Sequence, residues 1–275
     1  RLPAGREFQT MHDFEGSEQQ GGKRGPAARN ATEMAADTFR GVALHKSFHE
    51  REVLRAVNIG FARGEIVGLL GPSGSGKSTI FNLLAGLLQP DGGRVLLGEL
   101  DITEATIDAR ARLGIGYVPQ SPNLFQALSV EDNLRIAVEA RGIAAASTRP
   151  LITKLCRLLE LTPLASTRLA SLSGGQRRRV EIAFALCGRP RFLLLDEPFV
   201  GLDPIACAHL SADFSRLAST GMGILLTDHK VHEALAIVQR SYVIDHGTII
   251  AEGASTDIVR HGLVRSRFLG ERFPL

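Results

Sequence analysis

A glycine-rich segment that ends in lysine and serine is the clearest chemical pattern in this 275-residue chain. It fits GxxxxGK(S/T) and consists of Gly71, Pro72, Ser73, Gly74, Ser75, Gly76, Lys77 and Ser78, with Thr79 next. In such a loop the backbone N–H groups face one anion, the lysine reaches the β- and γ-phosphates, and the hydroxyl binds Mg²⁺. We therefore predict that these nine residues hold a nucleotide and that Ser78 binds Mg²⁺. A glycine turn before a helix is the alternative.

Two adjacent carboxylates follow an apolar run farther along the chain. Residues 192–195 predict a buried strand, and Asp196 and Glu197 come directly after it. Because successive strand residues point to opposite faces, the two acids can have different roles. We expect Asp196 to bind Mg²⁺ and Glu197 to act as the general base toward an attacking water. Two solvated acids at a strand end are the alternative, which the glycine-rich loop makes less favoured.

The segments around these residues predict the elements that position them. Residues 65–70 predict a strand that enters the glycine-rich loop, and residues 77–87 a helix whose free N–H groups add to the anion site. Residues 39–45, 54–61, 115–118 and 223–227 also favour strands, whereas residues 129–170 have the periodicity of a small helical lobe. After Ser173, helical and strand patterns alternate, and a hairpin turns at His246 and Gly247. The alternation predicts an α/β fold with a mostly parallel sheet.

Composition and charge narrow the function. The chain has 32 Lys and Arg against 29 Asp and Glu, a balance too even to indicate a nucleic-acid partner. Cys156, Cys187 and Cys207 lack CxxC spacing, so we expect reduced core thiols rather than a zinc site. No apolar run approaches the roughly 20 residues that span a bilayer. We expect a cytoplasmic protein whose membrane work, if any, is done by partner chains.

A second glycine-rich segment, Leu172-Ser173-Gly174-Gly175-Gln176, precedes a basic helix and resembles the signature sequence of the ABC (ATP-binding cassette) ATPases. The resemblance extends from residue 39 to the end of the chain. It implies a P-loop NTPase core of ABC type with an antiparallel β subdomain and a helical subdomain. It also implies ATP hydrolysis, with ATP and Mg²⁺ as cofactors. In the family, Ser173, Gly174, Gly175 and Gln176 would bind the ATP of a neighbouring subunit, which implies a homodimer.

Four further residues match motifs of this family. Gln120 corresponds to a glutamine that touches the metal and the water, and His229 to a switch histidine that contacts the γ-phosphate. Asp203 lies in a segment that resembles the D-loop, which crosses the dimer seam. Phe48 aligns with the aromatic residue that stacks on adenine. By themselves, Gln120 would be interpreted as a turn residue and Phe48 as core packing. We expect the other seven histidines to lie on the surface or in loops.

Several stretches resemble the family of ATP-binding subunits of lipopolysaccharide-export transporters. They are residues 64–72, 109–112 leading to 114–117, 196–199 and 226–229, and the ending Leu269-Gly270-Glu271-Arg272-Phe273. The chain departs from that pattern inside the phosphate loop, at Ser73 to Ser75, and at Ser121, where an acidic residue is usual. The ATPase of a branched-chain amino-acid importer is the alternative. The resemblance implies two integral membrane subunits, contacted near Gln120 to Phe125 on the cytoplasmic face of the inner membrane.

Two other functions remain as alternatives. A non-transport ABC ATPase of DNA repair or ribosome work usually has a coiled-coil insertion, zinc-binding cysteines or two cassettes, and we expect no nucleic-acid partner. A nucleotide-binding regulator without turnover is disfavoured because Glu197 and His229 are both present. We expect Arg177, Arg178 and Arg179 to be solvated on their helix or to strengthen the positive field at the phosphates.

The composition also suggests how the chain divides. Residues 1–37 are rich in Gly, Gln, Glu, Arg and Ala and have little apolar periodicity, so we predict a disordered N-terminal extension. Met34 is a plausible start. We predict one ABC ATPase domain over residues 38–275, with the helical subdomain at about 121–172.

Overall fold

Two β-sheets organise residues 37–121 and 124–270, which are the residues that the computed structural model describes. The strands are β1 (Thr38–Phe48), β2 (Arg51–Ala62), β3 (Ile66–Leu70), β4 (Gly92–Leu97), β5 (Leu100–Asp101), β6 (Ile115–Val118), β7 (Phe192–Asp196), β8 (Gly223–Thr227), β9 (Arg240–Asp245) and β10 (Thr248–Ala254). The helices are α1 (Lys77–Ala85), α2 (Ile107–Arg112), α3 (Val130–Glu139), α4 (Ala145–Leu158), α5 (Gly174–Leu186), α6 (Pro204–Ser219), α7 (Val231–Leu235), α8 (Ser255–Arg260) and α9 (Gly262–Val264). The predicted α/β class is confirmed.

The first sheet is antiparallel and has the strand order β2-β1-β4-β5. Its main hairpin pairs Thr38 with Ala62 at one end and Phe48 with Arg51 at the other. Both strands are therefore longer than residues 39–45 and 54–61, the ranges that the sequence predicts. Because the ladder continues to the hairpin tip, Phe48 is the last residue of a strand and not part of an irregular loop.

The second sheet has the order β10-β9-β3-β8-β7-β6, and only its edge pair β9–β10 is antiparallel. Every residue of β3, β7 and β8 is buried, as expected for apolar strands of a parallel sheet covered on both faces. The carboxyl ends of β3, β6, β7 and β8 meet at one edge. Ligands of open α/β sheets bind at this edge, so the strand order brings the predicted site residues together.

Two apolar clusters cover the faces of the parallel sheet. Between the two sheets, Phe39, Phe61 and Phe192 form a triangle with ring centroids 5.6, 5.7 and 5.4 Å apart, and α1 packs beside them. On the opposite face, α5 and α6 join the sheet to α3 and α4. Full burial of a large apolar side chain contributes about 1.5–3 kcal/mol, so these clusters hold the site residues on a rigid base.

The helices α3 and α4 lie between β6 and α5 in the chain, where the sequence predicts a helical lobe. Ser129 starts α3 by accepting a hydrogen bond from the Asp132 backbone N–H. The boundaries 121–172 of a helical subdomain stay a prediction. The N-terminal extension that is predicted to be disordered lies, apart from residue 37, outside the described ranges. Residues 122–123 and 271–275 also lie outside them.

Two expectations about composition can be compared with the fold. Cys156, Cys187 and Cys207 are buried free thiols, as their spacing predicts. Across residues 37–121 and 124–270, no helix combines the length and the apolar character that a membrane span requires.

Candidate active site

The glycine-rich loop connects β3 to α1 and requires glycine at its two ends. Gly71 and Gly76 have φ of 152° and 113°, which favour glycine. A Cβ on Gly71 would lie 2.1 Å from the Ile244 carbonyl oxygen, and one on Gly76 would lie 2.7 Å from Leu54. The backbone therefore makes this close turn only with glycine at these positions.

Lys77 occupies the centre of the loop. Its side chain is buried, and its ammonium donates hydrogen bonds to the carbonyl oxygens of Gly71 (2.8 Å) and Pro72 (2.9 Å). Burial lowers the pKa of this amine, and the negative charges of Glu197 and Asp196 oppose that shift. The ammonium lies within an arc of backbone, where it can exchange carbonyl oxygens for phosphate oxygens.

The other loop residues differ in exposure. Ser73, Gly74 and Ser78 are exposed, whereas Pro72 and Thr79 are half-buried. Ser75 is buried, and its hydroxyl has no hydrogen-bond partner among the described residues. Because an unpaired buried hydroxyl costs free energy, this atom is suited to bind a polar ligand in the loop.

A cleft of about 630 Å³ lies beside the loop. Its lining includes residues 72–75 and the side chains of Arg51, Asp245, His246 and Arg267. Arg267 pairs with Asp245 at 3.0 Å. Sequence reasoning missed both arginines, because they are distant in sequence and lie in no phosphate-binding motif. Their charges make this side of the loop more positive, which favours an anion.

The predicted acid pair lies at the end of β7. Asp196 is its last residue and is 6% exposed. Burial, with the neighbouring Glu197 charge, raises the pKa of Asp196 to about 6. Burial raises the pKa of the Tyr117 phenol, and the charge of the nearby Asp196 adds to that shift. Tyr117 was missed because an aromatic residue inside a strand predicts packing and not a contact with an acid.

Glu197 leaves the strand with a φ of +50°, an uncommon conformation for a residue with a side chain. Its backbone N–H donates to the Thr227 carbonyl at 2.8 Å, which fixes the turn against β8. One carboxylate oxygen accepts a hydrogen bond from Gln120 Nε2 at 2.6 Å, and the other lies 2.7 Å from His229 Nε2. The structure thus brings three of the predicted catalytic residues into direct contact.

The switch loop after β8 is held by two residues that the sequence analysis did not single out. Asp228 is fully buried and accepts hydrogen bonds from the backbone N–H groups of Phe199 and Lys230, both at 2.7 Å. The Lys230 ammonium donates to the Leu202 carbonyl at 2.5 Å. These contacts link the loop that carries His229 to the segments after the acid pair. Asp228 could have been noticed as an acid directly before His229.

The expectation for the three arginines after the signature was wrong for two of them. Arg178 is 6% exposed and donates to the carbonyl oxygens of Asp196, Pro198 and Pro119 and to the Glu181 carboxylate. It is neither solvated nor directed at phosphates, because α5 packs this face against the end of β7. A guanidinium has five N–H donors, enough to bind several carbonyls at once.

The Arg179 side chain is 15% exposed and is held by two carboxylates rather than by solvent. It pairs with the buried Asp213 of α6 at 2.9 Å and with Glu160 at 2.9 Å. Burial raises the pKa of Asp213, and the Arg179 charge opposes that shift. Arg179 therefore connects α5 to α6 and to the end of α4 rather than facing a ligand.

The signature residues lie at the exposed start of α5. The Ser173 hydroxyl accepts from the Gln176 backbone N–H, and the Gln176 side chain accepts from the Ser173 backbone N–H. This reciprocal pair is a capping box. Gly174 and Gly175 lie close to Leu202 and Ala206. A Cβ added to Gly174 would lie 3.5 Å from the Leu202 side chain, and one added to Gly175 would lie 2.9 Å from the Ala206 side chain.

Within the described residues, no hydrogen bond or ion pair joins the signature to the phosphate loop of the same chain. The D-loop residue Asp203 is exposed and caps α6 by accepting the Ala206 N–H at 2.9 Å. Both predicted interface segments thus present short polar caps on the surface.

Phe48 is 41% exposed at the tip of the first hairpin. The Lys46 ammonium lies 5.7 Å from the centroid of its ring and pairs with Asp91 at 2.6 Å. The alternative of simple core packing does not describe a ring with this exposure. An exposed ring beside a cation can stack on a flat base.

The residues fit a magnesium ion that binds together with phosphates. The described residues contain no group of three His, Cys, Asp or Glu side chains that could hold a metal alone. Mg²⁺ usually binds one or two carboxylates plus phosphate oxygens and waters. A cation bound by Asp196 would offset both the burial of this carboxylate and its repulsion by Glu197. Ser78 offers an exposed hydroxyl on the first turn of α1.

A glycine loop between a parallel strand and a helix, with a buried acid pair on an adjacent part of the sheet edge, defines a P-loop ATPase. Comparison with known proteins specifies the family. The family model described as ABC transporter matches residues 54–200. The chain belongs to the ABC transporter family, as an ATP-binding, ATP-hydrolysing subunit.

Relatives and solved structures agree with this assignment. The lipopolysaccharide export system ATP-binding protein LptB of Acidithiobacillus ferridurans is 42% identical over 85% of this chain and 97% of its own length. The ADP conformation of MJ1267, an ATP-binding cassette of an ABC transporter, has a TM-score of 0.78 at 28% identity and covers 86% of this chain and 99% of its own. The ATP-binding cassette MJ0796, a dimeric structure bound to ADP and Pi, has a TM-score of 0.69 at 26% identity and covers 79% of this chain and 98% of its own.

Proposed function

We propose that this ATPase works as a homodimer and drives lipopolysaccharide export through separate membrane subunits at the inner membrane. The observation that carries the catalytic part is the geometry around Glu197, where Gln120 and His229 each contact one carboxylate oxygen. The cargo rests on the 42% identity to the lipopolysaccharide-export ATP-binding protein over most of both chains.

In the proposed hydrolysis step, a water attacks the γ-phosphorus of ATP while Glu197 accepts a proton from that water. The bond between the γ-phosphorus and the oxygen shared with the β-phosphate breaks, and ADP leaves with that electron pair. Lys77 and the backbone N–H groups of the loop stabilise the charge on the phosphate oxygens. When bound, Mg²⁺ would neutralise part of the same charge, with Ser78, Asp196 and Gln120 as its expected ligands.

The contacts of Glu197 support this role. Gln120 and His229 restrain the carboxylate in one orientation, so it is positioned before the water arrives. The His229 side chain is 47% exposed, so it is accessible to a nucleotide, and its proposed second role is to contact the γ-phosphate. Phe48 would cover the adenine.

A second copy of the chain completes the proposed site. Ser173, Gly174 and Gly175 start α5 on the surface, where the free N–H groups of a helix N-terminus favour an anion. Since the chain's own phosphate loop lies elsewhere, this anion would be the ATP of the other copy. Asp203, exposed at the start of α6, would lie at the seam.

The proposed membrane contact lies at residues 120–125. Phe125 is 50% exposed, and the buried Asn133 holds its backbone through hydrogen bonds of 2.9 and 3.1 Å. Residues 122–123 lie outside the described ranges. An exposed aromatic ring on a fixed backbone is suited to pack against a helix of a membrane subunit.

The test is purification of the tagged chain from membranes, followed by mass spectrometry of the proteins that accompany it. We expect the membrane subunits of a lipopolysaccharide-export transporter, and we expect Phe125→Ser to reduce their recovery while Phe48→Ser does not. Recovery of amino-acid importer subunits instead would contradict the cargo but not the ATPase. ATP turnover stimulated by DNA or ribosomes would contradict transport itself.

A further inference from the structure

An apolar cavity with a basic rim lies on the side of the molecule away from the nucleotide site. It measures about 290 Å³, just below the roughly 300–1,000 Å³ of most small-molecule pockets. Its walls are four largely buried leucines, with Leu158, Pro190 and Met222 completing them. The four leucines are Leu151, Leu155, Leu186 and Leu217.

The cavity lies at the amino ends of the parallel strands. Its lining includes residues 189–191 just before β7, residues 220–222 just before β8, and Arg63 in the turn before β3. The phosphate loop and the acid pair lie at the carboxyl ends of the same strands. The two sites are therefore at opposite edges of the sheet.

Four basic side chains line this cavity, and none of its lining residues is acidic. They are Arg63, Lys154, Arg189 and Arg191. Arg63 pairs with Asp37 at 3.7 Å and donates to the Gly221 carbonyl, and Arg191 donates to the Leu113 carbonyl. The Arg189 guanidinium makes no hydrogen bond or ion pair with any other described residue.

The cations at the rim also repel one another. Partial burial lowers the pKa of Arg191, the Arg63 charge lowers it further, and only Asp37 opposes these effects. An anion between the arginines would offset this repulsion and hydrogen-bond to several N–H donors at once. The apolar walls would meanwhile bury a hydrocarbon portion of the same ligand.

We propose that this cavity binds a single-chain amphiphile whose head group is an anionic carboxylate or phosphate. The chain of the ligand packs against the leucines, and its head group contacts Arg189, Arg191 and Arg63. The small volume favours one acyl or alkyl chain over an extended peptide. Because the walls come from α4 and from the ends of α5 and α6, the bound ligand would hold the helical lobe against the sheet.

The experiment titrates the full chain with decanoate, a monomeric probe, by calorimetry, and measures the thermal midpoint in parallel. We expect saturable binding and a rise in Tm, because a ligand of the native state stabilises it by mass action. Decyltrimethylammonium has a similar chain and the opposite charge, and we expect it not to bind. Equal binding of the two amphiphiles, or no saturation by decanoate, would overturn the proposal.

Variants locate the site. Arg189→Glu should weaken decanoate binding roughly tenfold or more, because it replaces a charged hydrogen bond with a repulsion. Arg149→Glu, on the exposed surface of α4 outside the cavity, is the matched control and should bind as the unchanged protein does. Unaltered binding by Arg189→Glu would overturn the proposal.

A second pair of variants, at Met222, distinguishes loss of binding through charge from loss of binding through misfolding. Met222→Glu places a carboxylate in the wall and should abolish binding, whereas Met222→Gln, which adds similar polarity without charge, should retain most of it. Equal loss in these two variants would contradict an anionic ligand.

Vesicles of anionic phospholipid provide a further comparison. Binding to vesicles that depends on Arg189, without binding of monomeric decanoate, would overturn the proposal in favour of a membrane surface.

Discussion

At the scale of single residues, the site depends on how one carboxylate is oriented. Glu197 follows the strand in a conformation with positive φ and has a separate partner for each oxygen. Such a conformation costs about 1–3 kcal/mol and persists only where surrounding contacts determine it. Here the bond to the Thr227 carbonyl provides one such contact. The strained turn therefore holds the carboxylate between Gln120 and His229, near enough to Lys77 for its charge to raise the pKa of that amine.

Removing the histidine partner tests this orientation. In His229→Ala one oxygen of Glu197 loses its 2.7 Å contact, so we expect kcat for ATP hydrolysis to fall on the order of 100-fold, with little change in KM. His209→Ala, at an exposed position on α6, is the control and should be fully active. A kcat within twofold of the unchanged protein would show that His229 does not position Glu197.

The raised pKa of Asp196 predicts a pH-dependent stability. The folded protein binds a proton at the Asp196 carboxylate more tightly than the unfolded chain does, because the pKa of Asp196 is about 6 in the folded protein against an ordinary value of 3.8. The resulting stabilisation is present below about pH 4 and is lost as the pH rises through 6, by up to about 3 kcal/mol.

Asp196→Asn removes this titration. Without nucleotide or metal, it should be more stable than the unchanged protein at pH 7.5, and the difference should shrink as the pH falls toward 4.5. Urea unfolding at several pH values measures it. A stability difference that is constant over this range would contradict a raised pKa of Asp196.

At the scale of elements, the parallel strand order brings together residues that are far apart in sequence. Gln120, Glu197 and His229 follow β6, β7 and β8, which are neighbours in the sheet. The sequence predicted these three strands and the residues after them, because each strand is a short apolar run that ends in polar residues. The contacts of Glu197 could not be predicted, since they depend on strand order and on a positive φ.

The contacts of Arg178 also could not be predicted from the sequence. A run of three arginines on a helix resembles a solvated face, and only the packing of α5 on the end of β7 buries the second of them. Likewise, the first hairpin extends beyond the predicted ranges because pairing continues through polar residues to its tip. Patterns of apolar residues predict elements, whereas contacts of polar residues require the assembled fold.

Arg178 provides the test at this scale. Arg178→Met should lower the free energy of unfolding by about 3–5 kcal/mol, because three carbonyls and the nearly buried Glu181 lose their donor. The double variant Arg178→Met with Glu181→Leu should recover part of this loss, since no unpaired carboxylate remains. Arg177→Met is the neighbouring control and should cost less. Urea unfolding measures all three, and equal stability of the single and double variants would contradict a buried ion pair.

At the scale of the whole molecule, one chain carries both halves of the proposed site on different surfaces. The phosphate loop and acid pair lie at the carboxyl edge of the sheet, and the signature starts α5 with a cap that is already satisfied locally. The family and the fold class were predicted correctly from the motifs. The homodimer and the membrane partners stay predictions, because each concerns a second chain. The N-terminal division, which falls almost wholly outside the described residues, and the boundaries 121–172 of the helical subdomain also stay predictions.

The most direct measurement compares ATP binding and ATP turnover in Glu197→Gln. Glutamine keeps the size of the side chain but cannot accept the proton of the water, so we predict unchanged ATP affinity and a loss of turnover of at least about 100-fold. The ATP-loaded variant should also elute as a dimer in size-exclusion chromatography, with Glu104→Gln, an exposed acid, as the control for both readouts. Turnover at the unchanged rate would contradict Glu197 as the general base, and a persistent monomer would contradict the shared site.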